Sequence, residues 1–354
     1  MTLRFALIGC GRIAKRHSDL LGNKQIDGAE LVAVCDLVPE RARIIGQHFG
    51  VPYFADMHEM MIAVDCDVAV VLTESGMHSA HVVELAAYKK HIVVEKPMAL
   101  TLQDADAMIR ACDAAGVKLF VVKQNRFNVP VQKLREAIEA GRFGRLVLGT
   151  VRVRWCRDQA YYDQAPWRGT WAMDGGVLTN QASHHVDLLE WMMGDVESVF
   201  AIGTTALARI EAEDTAVVTL RFRNGALGVI EATTAARPKD LEGSISILGE
   251  GGTVEIGGFA VNLMKEWSFS ESRPDDGEVI ERYSCNPPNV YGFGHQAFYE
   301  HVIDCINNNR QQLVDGLEGR KSLELINAIY ESIETGREVS LHFRPRHCKL
   351  GLCV

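Results

Sequence analysis

A glycine turn between two apolar strands constrains the fold of this chain more than any other feature of its sequence. Residues 5–8 form an apolar strand that enters a G-x-G-x-x-A turn, in which Gly9 and Gly11 let the backbone turn tightly before a helix begins. A second apolar strand, residues 31–35, ends in Asp36. This arrangement predicts a dinucleotide site, with a pyrophosphate at the helix N-terminus and a ribose on the carboxylate of Asp36.

The residues around Asp36 favour NAD over NADP. A carboxylate accepts hydrogen bonds from the ribose 2′- and 3′-hydroxyls, and it repels a 2′-phosphate. The nearest downstream arginines, Arg41 and Arg43, lie a turn or more into the next helix. The predicted cofactor is therefore NAD, with Arg12 and Ile13 of the turn beside it.

Composition predicts a soluble enzyme with two domains. The chain has 354 residues, of which 47% are hydrophobic and 23% are charged, and this is enough to bury two cores. A net charge of -9 argues against nucleic acid and anionic membranes as partners. No apolar run reaches the ~18 residues of a membrane span, and no leader pattern precedes the first strand. The nine cysteines form no C-x-x-C pair, so we expect reduced thiols and a cytoplasmic location.

The order of apolar segments predicts an α/β fold. Up to residue 125, strands alternate with helical patterns, as in a doubly wound parallel Rossmann sheet. Beyond it, strands follow one another across short turns, which favours an α+β domain with a large open, mainly antiparallel sheet. The predicted domains are residues 1–125, which bind NAD, and 126–354, which bind substrate and form oligomer contacts and whose last helices can pack back on the first domain. The predicted strands are residues 5–8, 31–35, 68–72, 92–94, 119–122, 146–154, 196–205, 214–222, 226–233, 244–248, 253–256 and 259–264.

A lysine follows the strand 92–94, at the same sheet edge as the dinucleotide site. It lies in the motif Glu95-Lys96-Pro97. A lysine ordinarily has a pKa near about 10.4, and burial and a nearby positive nicotinamide both lower this pKa. Lys96 could then exchange a proton with a substrate hydroxyl near neutral pH. The alternative is a surface lysine in an ion pair, and the position after a strand end favours the catalytic role.

A third motif identifies the family that the chain resembles. Residues 175–187 place a glycine pair before a helix that bears His184. Together with the G-x-G-x-x-A turn and the E-K-P motif, this segment resembles the Gfo/Idh/MocA family of NAD(P)-dependent sugar and cyclitol oxidoreductases, from residue 3 to about residue 340. The resemblance implies a Rossmann domain followed by a mostly antiparallel sheet, whose open face would build a homodimer or homotetramer.

The same resemblance implies roles for three side chains. Lys96 matches the usual catalytic acid/base, and Asn180 and His184 align with a D-x-x-x-H pair. An amide cannot relay a proton, so Asn180 could hydrogen-bond a sugar hydroxyl or orient Lys96. His184 would be the partner of Lys96 or, alternatively, the base itself, unless it is a structural helix residue. His185 points about 100° away around the helix, and we expect it to be structural.

Further cofactor contacts follow from matching segments of the family. Thr73 and His78 stand where the family often has T-P-N-x-x-H, although Glu74 and Ser75 between them do not match. Trp167 and Arg168 resemble a loop on the nicotinamide side. The predicted cofactor-binding residues are Gly9, Gly11, Arg12, Ile13, Asp36, Thr73, His78, Glu95, Lys96, Gln124, Trp167 and Arg168.

We predict no metal site from the sequence. His78 and His81 could supply two ligands, but no cysteine cluster or acidic motif completes a site. Arg126 and Arg168 are candidate anion contacts, and the alternative for each is an exposed arginine.

Two segments, residues 157–164 and 289–295, resemble the bacterial 3-dehydrogenases that act on UDP-N-acetyl-2-amino-2-deoxyglucuronate (UDP-GlcNAcA) in surface-polysaccharide synthesis. Such a UDP-sugar acid carries a diphosphate and a carboxylate, so its pocket needs cationic side chains and an aromatic face. Residues 291–294 could equally be a helix-entry loop. The predicted substrate-binding residues are Lys96, Arg157, Tyr161, Asn180, His184, Tyr291 and His295.

Two other functions remain open from the sequence. The first is a family dehydrogenase of another sugar or of inositol. The second is a non-enzymatic NAD-binding regulator, against which the intact Lys96 and His184 weigh.

Overall fold

The computed structural model describes residues 1–284, 293–341 and 348–352 of the chain. Two compact units account for its internal contacts. The first comprises Met1–Val122 and His295–Arg320, and the second comprises Lys123–Gly294 and Lys321–Val354. Both units combine helices with a β-sheet, which confirms the predicted α/β class. The division into domains at residue 125 stays a prediction.

The first unit is built on a six-stranded parallel sheet in the order β3-β2-β1-β4-β5-β6. The order reverses between β1 and β4, and dinucleotides bind outside the carboxyl ends of strands at such a switch point. Its strands are β1 (Leu3–Ile8), β2 (Ala29–Cys35), β3 (Tyr53–Phe54), β4 (Val68–Val71), β5 (His91–Val94) and β6 (Leu119–Val121). Its helices are α1 (Ala14–Gly22), α2 (Pro39–Phe49), α3 (Met57–Ala63), α4 (His78–Ala86), α5 (Leu102–Ala115) and α10 (Gly294–Asn307).

Burial explains why the central strands carry continuous apolar runs. All four residues of β4 are buried, because helices cover both faces of a parallel sheet. Residues of α10, far along the chain, also belong to this unit: the Tyr299 ring packs edge-on against Phe5 of β1, with the ring centroids 5.4 Å apart. The predicted alternation of strands and helices is confirmed.

The second unit contains an eight-stranded sheet in the order β13-β12-β11-β7-β10-β9-β8-β14. Of its described strand pairs, β7 and β10 run parallel and the others antiparallel. Its strands are β7 (Leu146–Arg154), β8 (Val196–Thr204), β9 (Thr215–Phe222), β10 (Leu227–Thr233), β11 (Glu242–Gly249), β12 (Gly252–Gly257), β13 (Leu263–Phe269) and β14 (Val339–Ser340). Its helices are α6 (Val129–Glu139), α7 (Gln159–Tyr162), α8 (Ser183–Met193), α9 (Val279–Arg282) and α11 (Gly316–Thr335), the last of which begins in the first unit.

One face of this sheet is packed and the other is open. The burial of β9 alternates along the strand, and α8 packs against β7 and β11. A hairpin joins β9 to β10 at Asn224-Gly225, where Gly225 has a φ of +86°.

The prediction of a strand over residues 259–264 is wrong for residues 259–262. Residues 258–261 form the turn between β12 and β13, with φ of +85° at Gly258 and +47° at Val261, and the strand begins only at Leu263. The turn is apolar because it is packed inward: Ala260 is 1% exposed and Val261 is fully buried. The short edge strand β3 has no apolar run and was missed by the sequence pattern.

Across the described residues, none of the helices has both the length and the apolar character that crossing a membrane requires. The seven cysteines that the structure describes are free thiols, as expected.

Candidate active site

Asp36 follows β2 and is tied to the glycine turn. One carboxylate oxygen of Asp36 accepts a hydrogen bond from the backbone N–H of Cys10 at 2.7 Å, and the other accepts one from Val38 at 2.8 Å. The backbone N–H of Gly9 donates to the carbonyl oxygen of Cys35 at 2.8 Å. The acid and the glycine turn are therefore brought together, as a ribose and a pyrophosphate of one dinucleotide require.

The two glycines of the turn face different surroundings. Gly9 has a φ of +96°, and a Cβ there would lie 2.7 Å from the backbone of Leu72. A Cβ at Gly11 would meet nothing within 4 Å. Ile13 precedes the first residue of α1, and Arg12 beside it is exposed. The open space at Gly11, next to a helix N-terminus, fits the pyrophosphate of NAD.

His78 links the two loops that follow β4 and β5. Its Nδ1 lies 2.7 Å from the carbonyl oxygen of Pro97, and its Nε2 lies 3.1 Å from that of Thr73. Burial lowers the pKa of His78, and a neutral ring can donate only one of these two bonds. The hydroxyl of Thr73 bonds His81 at 2.9 Å. These contacts hold the loops together at the carboxyl edge of the sheet.

Lys96 lies directly beyond β5, at the same edge. It is partly exposed, and the peptide bond to Pro97 is cis. Its backbone N–H donates to the carboxylate of the buried Glu95 at 3.0 Å. The other oxygen of that carboxylate lies 3.0 Å from His17, a residue of α1 that sequence reasoning missed.

The second unit brings together the predicted polar residues near the glycine pair. Asn180 donates through its side-chain amide to Asp174, whose other oxygen accepts the backbone N–H of Gly169 at 2.9 Å. Gln124 donates through its amide to Nε2 of His184 at 3.0 Å. Neither Asp174 nor Gln124 was assigned to these partners from the sequence, since the pairings depend on how distant loops fold.

Arg126 does not present its charge as an exposed anion contact. It forms two buried bonds with Asp187, at 2.8 and 2.9 Å, and Lys123 lies 3.6 Å from the same carboxylate. Burial by itself would raise the pKa of Asp187, but the charges of Arg126 and Lys123 outweigh it and hold the pKa at about 2. His185 is fully buried and packs edge-on against Trp155, in agreement with its predicted structural role.

Tyr161 lies between two predicted cationic residues. The guanidinium carbons of Arg157 and Arg168 are 5.4 and 4.6 Å from the centroid of its ring. Its hydroxyl accepts a hydrogen bond from Arg168 at 2.7 Å, and Arg157 is paired with Asp240 at 2.9 Å. Arg168 also lies over the ring of Trp167, at 4.8 Å. Two guanidinium groups and two aromatic rings suit a ligand that carries both anions and a planar base.

A cavity of about 680 Å³ opens beside this group within the second unit. Residues of α7, of the loop that follows α7 and of the loop before β9 line the cavity. The lining contains both positively and negatively charged side chains. The lining residues are Gln159, Tyr162, Asp163, Ala165, Pro166, Arg168, Gly169, Thr170, Arg209, Ile210 and Glu211.

Tyr291 and His295 were also predicted to bind substrate. Tyr291 lies outside the described residues. His295 is buried in the interior of the first unit, with its Nε2 3.6 Å from Glu95, so its described position does not present it to a substrate. The apolar residues around it in α10 place this face of the helix in the core.

A buried acid beneath the glycine pair was also missed. Glu213 accepts hydrogen bonds from the backbone of Leu178 and the hydroxyl of Tyr330, both at 2.9 Å. Burial raises the pKa of Glu213 to about 7. A Cβ at Gly176 would lie 2.1 Å from this carboxyl group, which explains the glycine there. No local pattern marks Glu213, because it lies in a short segment just before β9.

Comparisons with known proteins agree with this architecture. Residues 3–123 match the family model described as "Oxidoreductase family, NAD-binding Rossmann fold", and residues 135–341 match "Oxidoreductase family, C-terminal alpha/beta domain", both of the Gfo/Idh/MocA group. The chain is 31% identical to myo-inositol 2-dehydrogenase of Thermotoga maritima, over 96% of this chain and 98% of that protein.

Two solved structures are more similar in sequence. The WlbA dehydrogenase of Bordetella pertussis, in complex with NADH and UDP-GlcNAcA, is 46% identical over 97% of this chain and 100% of that chain, with a TM-score of 0.89. The WlbA enzyme of Chromobacterium violaceum, in complex with the same two molecules, is 45% identical over 97% of both chains, with a TM-score of 0.91.

Proposed function

The chain belongs to the Gfo/Idh/MocA oxidoreductase family, and on this basis we propose that it oxidises the C3 hydroxyl of UDP-GlcNAcA to the 3-keto sugar with NAD as cofactor. The observation that carries the proposal is the similarity, at 45–46% identity and almost full length, to two dehydrogenases solved with NADH and UDP-GlcNAcA. The pair of guanidinium groups on Tyr161 supports it, since the substrate carries a diphosphate and a carboxylate.

Residues of the first unit would hold NAD. The space at Gly11 suits the pyrophosphate, and Asp36 would accept hydrogen bonds from the ribose hydroxyls. Arg12, Ile13 and Thr73 would complete the site with His78, Glu95 and Lys96. The resemblance to the family implies Gln124, Trp167 and Arg168 as further proposed contacts. NAD bound by these residues would supply the hydride acceptor for oxidation of the substrate carbon.

Lys96 is the proposed general base. Its amine takes the proton of the C3 hydroxyl as the carbon is oxidised, and it returns a proton in the reverse direction. Asn180 and His184 are proposed to hold the sugar, with Asn180 fixed by Asp174 and His184 by Gln124. Arg157 and Tyr161 would bind the anionic part of the substrate, so that the protein contributes mainly alignment.

The proposal also covers the location of the protein in the cell, its biosynthetic role and its assembly. The protein would act in the cytoplasm, in nucleotide-sugar synthesis for lipopolysaccharide O-antigen. It would be a homodimer or homotetramer that uses the open face of the eight-stranded sheet. Exposed apolar side chains on that face support this assembly: Ile202 is 66% exposed and Val217, its neighbour across the ladder, is 52% exposed.

A substrate panel tests the proposed reaction. The purified protein is incubated with NAD+, and with 2-oxoglutarate as a hydride-accepting trap, against UDP-GlcNAcA, UDP-N-acetylglucosamine, glucose and myo-inositol, while NADH and sugar products are followed. We expect a 3-keto sugar from UDP-GlcNAcA. Turnover of myo-inositol alone would favour the second candidate, an inositol dehydrogenase, which the 31% identity to the Thermotoga enzyme supports. NADH binding without any turnover would favour a regulator.

The variant Lys96→Met tests the base. It keeps the bulk of the side chain and removes the amine, so we expect NADH binding close to that of the wild type and a fall in kcat of about a thousandfold, within the range of general-base catalysis. Full activity of this variant would remove Lys96 from the mechanism.

A further inference from the structure

A buried hydrogen-bonded cluster lies directly behind Lys96 in the first unit. Glu95 uses both carboxylate oxygens: one accepts the backbone N–H of Lys96 at 3.0 Å, and the other lies 3.0 Å from Nε2 of His17. Nε2 of His295 is 3.6 Å from that second oxygen. The side chains of His17 and His295 are 0% and 1% exposed, so this cluster is closed to water.

The cluster continues to a tyrosine of α10. Nδ1 of His17 lies 2.6 Å from the hydroxyl of Tyr299, which is fully buried. Burial raises the pKa of Tyr299 well above its ordinary value, so its hydroxyl keeps a proton to donate. If Tyr299 donates to Nδ1, then Nε2 of His17 is the donor to Glu95. Every bond then has one donor and one acceptor.

Glu95 is ionised in this arrangement. Burial alone would raise the pKa of its carboxyl, but the hydrogen bond from His17 and the nearby ring of His295 outweigh burial and hold the pKa well below its usual range. A buried carboxylate is costly unless it is fully bonded, and removing one partner leaves the others unsatisfied. The position of the Lys96 backbone is therefore coupled to the bonds that α1 and α10 make with Glu95.

We propose that Tyr299, His17, His295 and Glu95 form a positioning network that fixes the backbone of Lys96 for proton transfer. The inference rests on the proposed role of Lys96. None of the four residues is required to touch the substrate: Glu95 contacts the Lys96 backbone, and the other three act through Glu95. Proton transfer demands close alignment, and a displacement of about 1 Å can cost about a hundredfold in rate. The network ties the lysine loop to α1, the helix of the dinucleotide turn.

Among the residues that the structure describes, the side chains of His17, Glu95 and His295 are also close enough together to hold a metal ion. Two observations favour hydrogen bonding instead. The 3.0 Å between His17 and Glu95 is an ordinary hydrogen-bond length, and the Glu95 oxygen that faces away from His17 already accepts the backbone N–H of Lys96. Zinc bound at one equivalent by the purified protein, and lost in His17→Gln, would overturn the network.

The chain contains a matched control for this network. On the surface of the first unit, the hydroxyl of Tyr88 lies 2.8 Å from Nδ1 of His58, whose Nε2 lies 3.1 Å from Glu84. The side chains of His58 and Glu84 are 43% and 49% exposed. Tyr88→Phe and Tyr299→Phe thus delete the same atom from the same type of triad, and only the second triad ends at Lys96.

The experiment measures kcat, the KM for UDP-GlcNAcA and the Kd for NADH in the wild type, Tyr299→Phe, Tyr88→Phe and Glu95→Gln. We expect kcat to fall about tenfold in Tyr299→Phe, with KM and Kd changed less than about twofold, and about a hundredfold in Glu95→Gln. Tyr88→Phe should match the wild type. Equal kcat in the two tyrosine variants would overturn the proposal.

The pH profile separates positioning from loss of folded protein. Glu95→Gln removes a negative charge beside Lys96, which disfavours the ammonium form, so the acidic limb of kcat should move to lower pH. A smaller amount of folded enzyme would lower kcat equally at every pH. The titratable groups that face Glu95 are His17 of α1, His78 of α4, Lys96, and His295 and Tyr299 of α10, and Arg16 faces His295.

Failure of the network is distinguishable from failure of the proposed function. If the wild type oxidises only another polyol, the substrate is wrong and the same variants are compared with that polyol. If Lys96→Met is fully active, the network falls with the lysine. Crystal structures supply a readout without turnover: we expect the Lys96 loop to be displaced in Tyr299→Phe but not in Tyr88→Phe, and an unmoved loop would contradict the proposal.

Discussion

At the scale of single residues, Glu213 couples the stability of the fold to pH. Its folded pKa of about 7 lies above the ordinary value of 4.5, because the carboxyl is buried. Between these two values the folded chain binds a proton that the unfolded chain has released. Stability therefore falls as the pH rises from 4.5 to about 7 and stays low above it, at a cost of up to about 3 kcal/mol.

We expect Glu213→Gln to remove this dependence. The amide keeps an oxygen that can accept from Leu178 and Tyr330, and it carries no charge at any pH. The midpoint of thermal unfolding of the variant, relative to the wild type, should be higher at pH 8 than at pH 5.5. Glu197→Gln, on the exposed side of β8, is the control and should shift neither midpoint. An equal difference at both pH values would show that Glu213 does not titrate as the structure indicates.

Sequence motifs located the chemical groups of the site but not their partners. Lys96 and Asn180 were found because each lies in a short motif with fixed spacing. The bond from His17 to Glu95 joins residues 78 positions apart, and no local pattern carries it. The same holds for Glu213 and Tyr330, 117 positions apart. The roles of the motif residues in binding the cofactor, binding the substrate and catalysis stay predictions until the variants are measured.

At the scale of elements, the two glycines of the turn before α1 are required for different reasons. Gly9 is needed by the fold, because its φ is +96° and a Cβ would lie 2.7 Å from the backbone of Leu72. Gly11 has no such neighbour and is needed only where the backbone approaches a pyrophosphate. Each glycine therefore serves as the control for the other.

We expect Gly9→Ala to lower the melting temperature by several degrees, since a strained backbone of this kind costs about 1–3 kcal/mol. Gly11→Ala should melt like the wild type and bind NADH about tenfold more weakly, because the added methyl group occupies the space for the pyrophosphate. Differential scanning fluorimetry and isothermal titration calorimetry give the two quantities. Normal NADH affinity in Gly11→Ala would move the cofactor away from this turn.

Element boundaries were predictable where burial is regular. The strand Leu146–Arg154 begins and ends where the apolar pattern places it. The strand β13 begins later than predicted, because a packed turn around Val261 has the same apolar composition as a strand. A pattern of apolar residues reports burial, and it cannot distinguish a buried turn from a buried strand.

At the scale of the whole molecule, the open face of the eight-stranded sheet makes the proposed assembly testable. Ile202 and Val217 lie side by side on neighbouring strands, and Phe200 on the same face of β8 is 39% exposed. A cluster of exposed apolar side chains on a sheet is a typical contact between subunits. Aspartates placed there would be buried without partners in an oligomer, and such charges are strongly destabilising.

We expect the double variant Ile202→Asp, Val217→Asp to be a folded monomer, while the wild type is a dimer or tetramer. Both substitutions lie on the solvent side of β8 and β9, so the core of the sheet is untouched. Ile62→Asp, at a side chain of α3 that is 79% exposed, introduces the same charge elsewhere and should keep the mass of the wild type. Light scattering after size-exclusion chromatography gives the masses. A double variant that stays assembled would place the subunit contact on another surface, because two unpaired carboxylates buried at this face could not be accommodated.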